Sequence, residues 1–198
     1  MSAPKQPPKL DYRSVIVITG PSGVGKGTLV RALKQRIPQL TYSVSATTRT
    51  PRPGERDGKD YHFLSDAEFR RRVAASKFIE HAEYSGHRYG TLRSEIDRHL
   101  AAGAPVILEI ELQGARQIRE RLPEALLVFI APPSFEALRS RLVGRGTDTP
   151  EQVAKRLETA KAELAARDEF DEQIVNDRLD DAIKQLTAVV QGRLSTRD

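Results

Sequence analysis

The run Gly20-Pro-Ser-Gly-Val-Gly25-Lys26 constrains this chain more than any other stretch of its sequence. Two glycines stand five apart and a lysine follows at once, the spacing of a phosphate-binding loop. Glycines there let successive backbone N–H groups curl around a phosphate, at the positive end of the helix that follows. Lys26 adds a point charge for the outer phosphates. Context separates such a loop from a chance flexible turn. Val15-Ile-Val-Ile-Thr19 precedes it, a β-branched run without alternation, which predicts a strand buried on both faces. Residues 28–37 follow, with Leu29, Leu33 and Ile37 at helical spacing and Pro38 as a stop. Strand, loop and helix in that order predict a nucleoside-triphosphate site spread over Gly20, Pro21, Ser22, Gly23, Val24, Gly25, Lys26, Gly27 and Thr28. Gly27 departs from the strict motif, which has Ser or Thr there to bind Mg²⁺. Either Thr28 supplies a hydroxyl one place later, or the metal is held mainly by the nucleotide and water.

The remaining pattern alternates. Residues 105–110 and 125–130 read as buried strands, each followed by a helical pattern, near residues 115–121 and 134–143. Residues 173–175 form a short strand before a closing helix over 179–190. Such alternation predicts an α/β fold with a central parallel sheet and flanking helices. The stretch from about residue 42 to 101 differs. Thr50-Pro-Arg-Pro-Gly54, Asp57-Gly58 and Ser85-Gly86 punctuate short aromatic segments, which predicts a small, mostly antiparallel insertion. Gly144-Arg-Gly-Thr-Asp-Thr-Pro150 is polar, precedes an amphipathic helix and reads as a lid. The expected partition is a disordered tail over 1–13, a core over 14–41, 98–143 and 153–194, an insertion over 42–97 and a lid over 144–152.

Composition bounds the setting. A length of 198 residues suits one domain, and the absence of cysteine excludes disulfides and thiolate metal sites. No apolar run approaches the roughly 20 residues of a membrane span, and the Pro- and Lys-rich start is no secretory signal. A cytoplasmic home is expected. The net charge of +5 suggests anionic partners, whether nucleotides or nucleic acid. The placement of the arginines separates these. Ser45-Ala-Thr-Thr-Arg49-Thr-Pro-Arg52 sets two arginines three apart around a proline-stiffened turn. Their forked guanidinium groups suit the dianion of a nucleoside monophosphate, and Tyr61 and Tyr89 can donate phenolic O–H groups to it. On charge alone a solvated basic loop is equally open. The four histidines, His62, His81, His87 and His99, have no metal-ligand spacing.

Several short segments now fall into one order. They are Gly20-Pro-Ser-Gly-Val-Gly-Lys-Gly-Thr28, Ser45-Ala-Thr-Thr-Arg-Thr-Pro-Arg-Pro-Gly-Glu55 and Gly58-Lys-Asp-Tyr-His-Phe63. Phe78-Ile-Glu-His-Ala82, Tyr89-Gly-Thr91, Leu108-Glu-Ile-Glu-Leu-Gln-Gly114, Gly144-Arg-Gly-Thr147 and Val175-Asn-Asp177 follow. With these in register, the chain resembles the guanylate kinase family from about residue 14 to 190. The resemblance implies a P-loop nucleoside monophosphate kinase fold, with a small mixed α/β insertion that binds GMP and a lid around Arg145. It implies that ATP with Mg²⁺ phosphorylates GMP or dGMP. Ser45, Arg49, Arg52, Tyr61 and Tyr89 would hold the acceptor phosphate, and Glu80, Thr91 and Glu109 would read the base. Lys26, Arg49, Arg145 and Arg156 would serve the transfer, and Asn176 would lie near adenine. Glu111, where the family usually has Asp, would join Thr28 as a metal contact.

The chemistry of guanine agrees with that assignment. N1–H and the 2-amino group are adjacent donors beside the O6 acceptor, and a carboxylate only accepts. Glu80 can take both donors, Glu109 a further amino hydrogen, and Thr91 can donate to O6. Adenine would leave a carboxylate facing a lone pair, a mismatch that such sites reject by roughly 10⁴ or more. Read alone, Glu80 is an ordinary surface residue. Glu109 is less ordinary, since it interrupts a buried strand and needs a partner. Three rivals stand beside this reading: a catalytically inactive guanylate-kinase-like module that binds peptides, a nucleic-acid binder, and a kinase for another monophosphate. The intact loop and Lys26 oppose the first. The second would need a basic face with exposed aromatics. The third turns on whether the three base-reading residues meet the purine. No nucleic-acid or membrane partner is expected, and the protein should be a monomer or small homo-oligomer.

Overall fold

A computed structural model of the chain describes residues 10–84, 86–144 and 149–196. Most of the expected tail, Ser85, and residues 145–148 with Arg145 of the expected lid lie outside the described residues. In chain order the elements are β1 (Val15–Thr19), α1 (Lys26–Arg36), β2 (Thr41–Tyr42), β3 (Ala46–Thr47), β4 (His62–Phe63), α2 (Asp66–Ala74), β5 (Phe78–Tyr84), β6 (His87–Leu92) and α3 (Arg93–Ala101). Then come β7 (Val106–Glu109), α4 (Leu112–Arg121), β8 (Leu126–Ala131), α5 (Phe135–Val143), α6 (Pro150–Ala165), β9 (Glu172–Val175) and α7 (Leu179–Ser195).

Five strands in the order β2-β7-β1-β8-β9 form a sheet in which every pairing is parallel. β1 lies at its centre and buries all five residues, because helices cover both faces. Successive side chains of a strand point to opposite faces. Ile16 and Ile18 accordingly pack with Leu29, Leu33, Leu138 and Leu186 on one side, and Val15 and Val17 with Ile96, Leu100 and Ile118 on the other. The chain runs from β1 to β2 and back to β7 on one flank, then crosses past β1 to β8 and β9 on the other. In open α/β sheets that reversal opens a crevice at the carboxyl ends of the strands, where ligands bind. Register places Ile18 beside Glu109 at this end.

The second sheet has the order β4-β3-β6-β5, antiparallel except for β3 against β4. Its small core is Ala46, Phe69, Phe78 and Leu92, with the Phe69 and Phe78 rings stacked at 4.4 Å. α2 starts at Ser65, whose hydroxyl accepts from the Glu68 N–H. Two expected boundaries meet the elements awkwardly. Tyr42 pairs with Ile107 in the parallel sheet, and residue 97 falls inside α3, whose Ile96 and Leu100 enter the core below that sheet. α4 joins the two sheets. From it, Gln117 makes paired bonds with the His81 backbone, at 3.2 Å from His81 N–H and 2.7 Å to His81 C=O, and Arg121 donates to the Ile79 carbonyl. The strand that carries Glu80 is thereby fixed to the core. No helix among the described residues is long and apolar enough to cross a membrane.

Candidate active site

The loop between β1 and α1 is wound on positive-φ glycines. Gly25 has φ 103°, left-handed, and a Cβ there would come within 2.6 Å of Asn176 Nδ2. That side chain donates to the Val24 carbonyl at 2.7 Å, so glycine is required for the loop to close on β9. Lys26 is 8% exposed, and its ammonium donates to the carbonyls of Gly20 at 2.5 Å and Pro21 at 3.4 Å. Arg156 reaches from α6 to the Ser22 hydroxyl at 3.3 Å. Arg141 donates to the Asn176 carbonyl at 2.8 Å and lies 3.4 Å from that of Val24. Thr28 is exposed, and its hydroxyl accepts from Arg31 at 3.2 Å. A Cβ on Gly27 would stand 3.6 Å from Glu109 Oε2, an ordinary contact, so a serine would fit there.

Beside the loop lies a cavity of about 200 Å³, lined by Ser45, Tyr61, Glu80, Ala82, Tyr84, Tyr89, Gly90, Glu109, Ile110, Glu111 and Gly114. β5 and β6 supply one wall, and the turn from β7 into α4 the other. Glu80 is 4% exposed, and its Oε1 accepts from the buried Thr91 hydroxyl at 2.6 Å. Thr91 therefore spends its proton on Glu80 before any ligand arrives. A Cβ on Gly114 would come within 2.5 Å of Glu80 Oε2, so the first turn of α4 must present bare backbone there. Burial raises the Glu80 carboxyl to about 7, against the opposing hydrogen bond from Thr91. Burial also raises Glu109, opposed by the charge of Lys26.

Arg49 is held at the cavity rim. Nη1 donates to the Thr50 carbonyl at 2.7 Å and Nη2 to Glu55 Oε1 at 2.8 Å. Its guanidinium carbon lies 5.4 Å from the centre of the Tyr61 ring. The Glu55 hydrogen bond pushes Arg49 above its ordinary pKa, with Tyr89 adding a weaker bond. Arg52 is exposed on the same turn. The fold thus gathers Ser45, Tyr61, Glu80, Tyr89, Glu109 and Glu111 around one cavity, with Thr91 behind Glu80 and Arg49 at the edge. Thr28 stands apart from them, on the exposed flank of α1.

Three residues at the site escape a reading of the sequence. Arg141 lies four places before Arg145 in the sequence, which was its only signal. Arg31, on α1, bears on the Glu109 carboxyl. Glu163 is 6% exposed and lies against Glu111, and burial together with the charge of Glu111 raises its pKa. It follows Arg156 by two helical turns, so both face the phosphate loop from α6.

The cavity and the loop share a wall. Glu111 lines the cavity, and its Oε1 is 3.9 Å from Lys26 Nζ. The family model for guanylate kinase matches residues 12–193. This chain belongs to the guanylate kinase family. Its members are nucleoside monophosphate kinases, so the chain is a phosphotransferase enzyme. A guanylate kinase of Frankia casuarinae is 54% identical over 176 residues, covering 89% of this chain and 96% of that relative. One from Mycobacterium leprae is 51% identical over 187 residues, 93% of this chain and 89% of its own. The crystal structure of guanylate kinase from Anaplasma phagocytophilum superposes with a TM-score of 0.72 at 31% identity, covering 93% of this chain and 88% of that one.

Proposed function

We propose that this guanylate kinase transfers the terminal phosphoryl group of ATP to GMP or dGMP, forming ADP and GDP or dGDP, through the residues gathered at the two clefts. The supporting observation is the shared wall. A phosphoryl group passes directly between two phosphates only if donor and acceptor sites abut, and Lys26 on the loop meets Glu111 in the cavity at 3.9 Å.

In this reading the loop amides and Lys26 hold the phosphates of ATP, and Asn176 and Arg141 border its adenine side. Glu80 and Glu109 accept hydrogens from guanine. Thr91 turns its hydroxyl from Glu80 toward O6 as the purine enters. Arg49, Arg52, Ser45, Tyr61 and Tyr89 hold the acceptor phosphate, whose oxygen is the nucleophile. That phosphate is largely ionised near neutral pH, so no strong general base is required. Arg156, with Arg145, stabilises charge on the group in transit. Closure over the clefts excludes water, the competing acceptor.

The donor set fits Mg²⁺. Among the described residues no cluster of three or more acidic or histidine side chains could cage a metal ion. Mg²⁺ commonly keeps several waters and uses one or two carboxylates with substrate phosphates. Glu111 is 39% exposed at its side chain and stands beside the phosphate loop, 3.9 Å from Lys26 Nζ. Glu111 would hold the ion through water, together with the phosphates of ATP. Bound there, the ion neutralises phosphate charge. Thr28 accepts one bond from Arg31 and keeps a second lone pair, but it stands on the exposed flank of α1.

A monomer or small homo-oligomer in the cytoplasm, acting on nucleotides and not on nucleic acid, completes the proposal. A coupled assay of ADP formation with a panel of monophosphates tests it. Turnover with GMP and dGMP, and little with AMP, UMP or CMP, is expected. Equal turnover of AMP, or none with any monophosphate, would overturn it.

A further inference from the structure

We propose that Glu55 is a positioning residue that braces the Arg49–Arg52 clasp in its receiving shape before the acceptor arrives. The inference rests on the reading that this clasp takes the acceptor phosphate. Both carboxylate oxygens of Glu55 are engaged. Oε1 accepts from Arg49 Nη2 at 2.8 Å, and Oε2 accepts from the Arg52 backbone N–H at 2.7 Å. The Glu55 N–H in turn donates to the Arg52 carbonyl at 3.0 Å. Pro51 and Pro53 have no N–H, so Arg52 carries the only backbone donor between residues 51 and 53, and Glu55 takes it. The turn is therefore closed on itself through one acidic side chain.

The consequence for Arg49 is a fixed plane. A guanidinium has five N–H groups in a rigid fork. Thr50 takes one from Nη1 and Glu55 one from Nη2, while the Tyr61 and Phe63 rings lie 5.4 and 5.9 Å from the guanidinium carbon. Tyr89 adds a weaker bond, and the five-donor fork still has N–H groups left to meet an anion. An unbraced arginine is long and flexible, and ordering it would weaken binding. Glu55 also offsets the repulsion between two like charges held on one short turn.

A carboxylate beside a phosphate-binding arginine could act oppositely, as a competitor for the guanidinium. The two roles differ in sign. A brace predicts that removing Glu55 weakens acceptor binding, and a competitor predicts that removing it tightens binding.

Glu55→Ala, Glu55→Gln and Arg49→Ala, each compared with wild type, decide between them. KM for GMP and for ATP would be measured, with GMP binding by calorimetry and melting temperature as a fold control. Glu55→Ala should raise both KM and Kd for GMP about tenfold, the scale of a hydrogen bond to a charged group, with KM for ATP unchanged. Glu55→Gln should be intermediate, since one amide oxygen still accepts. Tighter or unchanged GMP binding in Glu55→Ala overturns the brace, provided Arg49→Ala weakens GMP. If Arg49→Ala leaves GMP binding unchanged, the reading of the clasp itself fails and the brace falls with it. An equal rise in KM for ATP and GMP would mean a general structural role and would also overturn the proposal.

Discussion

GMP binding should release a proton at mildly acidic pH, and Glu80 should be its source. Burial raises this carboxyl from 4.5 to about 7 in the free protein. In the proposed pose guanine presents donors to it, so the bound form must be ionised. The apparent Kd then scales as one plus the ratio of protonated to ionised Glu80. That factor is about 1.1 at pH 8 and about 11 at pH 6, roughly a tenfold loss of affinity. The proton released per GMP bound should rise from about 0.1 at pH 8 to about 0.9 at pH 6. Calorimetry in buffers of different ionisation enthalpy counts it. The phosphate of GMP titrates near pH 6 as well, so Glu80→Gln is the control, retaining the phosphate contribution without the carboxyl. Its GMP affinity should be weak at every pH but should lack the tenfold loss specific to wild type. Equal pH dependence in the two proteins would refute the placement of guanine on Glu80. The same linkage acts on stability, with a definite sign. The folded protein keeps this proton up to about pH 7 while the unfolded chain loses it near 4.5, so stability falls as pH rises through that window, by on the order of 3 kcal/mol.

Other outcomes follow from single contacts. Lys26→Ala should lower kcat by about 10²–10³, the usual effect of removing one charge-stabilising donor, with the circular dichroism spectrum unchanged. Gly114→Ala places a methyl within 2.5 Å of Glu80 Oε2 and should cost about 1–3 kcal/mol in stability or displace Glu80, seen as a lower melting temperature or a raised KM for GMP with KM for ATP unaltered.

Much of the fold was legible in the sequence because its strands are buried on both faces. Val15-Ile-Val-Ile18 has no polar residue to break the run, and β1 occupies those four positions and Thr19. The phosphate loop was equally legible, since strand and helix flank it at the expected places. The insertion was harder. α2 buries only Phe69, so Asp66–Ala74 carries almost no periodicity, and Ser65 at its start was the one local signal. β2, β3 and β4 have two residues each, too short for alternation to register. At the site, resemblance and guanine chemistry pointed to Glu80 and Glu109 as candidates, while Glu109 alone stood out by interrupting a buried strand. Glu163 gave no warning. A glutamate on a charged helix reads as solvated, and only the packing of α6 against the phosphate loop buries it.

A crystal structure with GMP and a non-hydrolysable ATP analogue tests most directly whether the two clefts serve one transfer. The purine should lie on Glu80 and Glu109, the acceptor phosphate between Arg49 and Arg52, and an acceptor oxygen about 3–3.5 Å from the terminal phosphorus, in line with the leaving group. Guanine bound away from Glu80, or phosphates separated well beyond contact with the protein closed around both nucleotides, would contradict it.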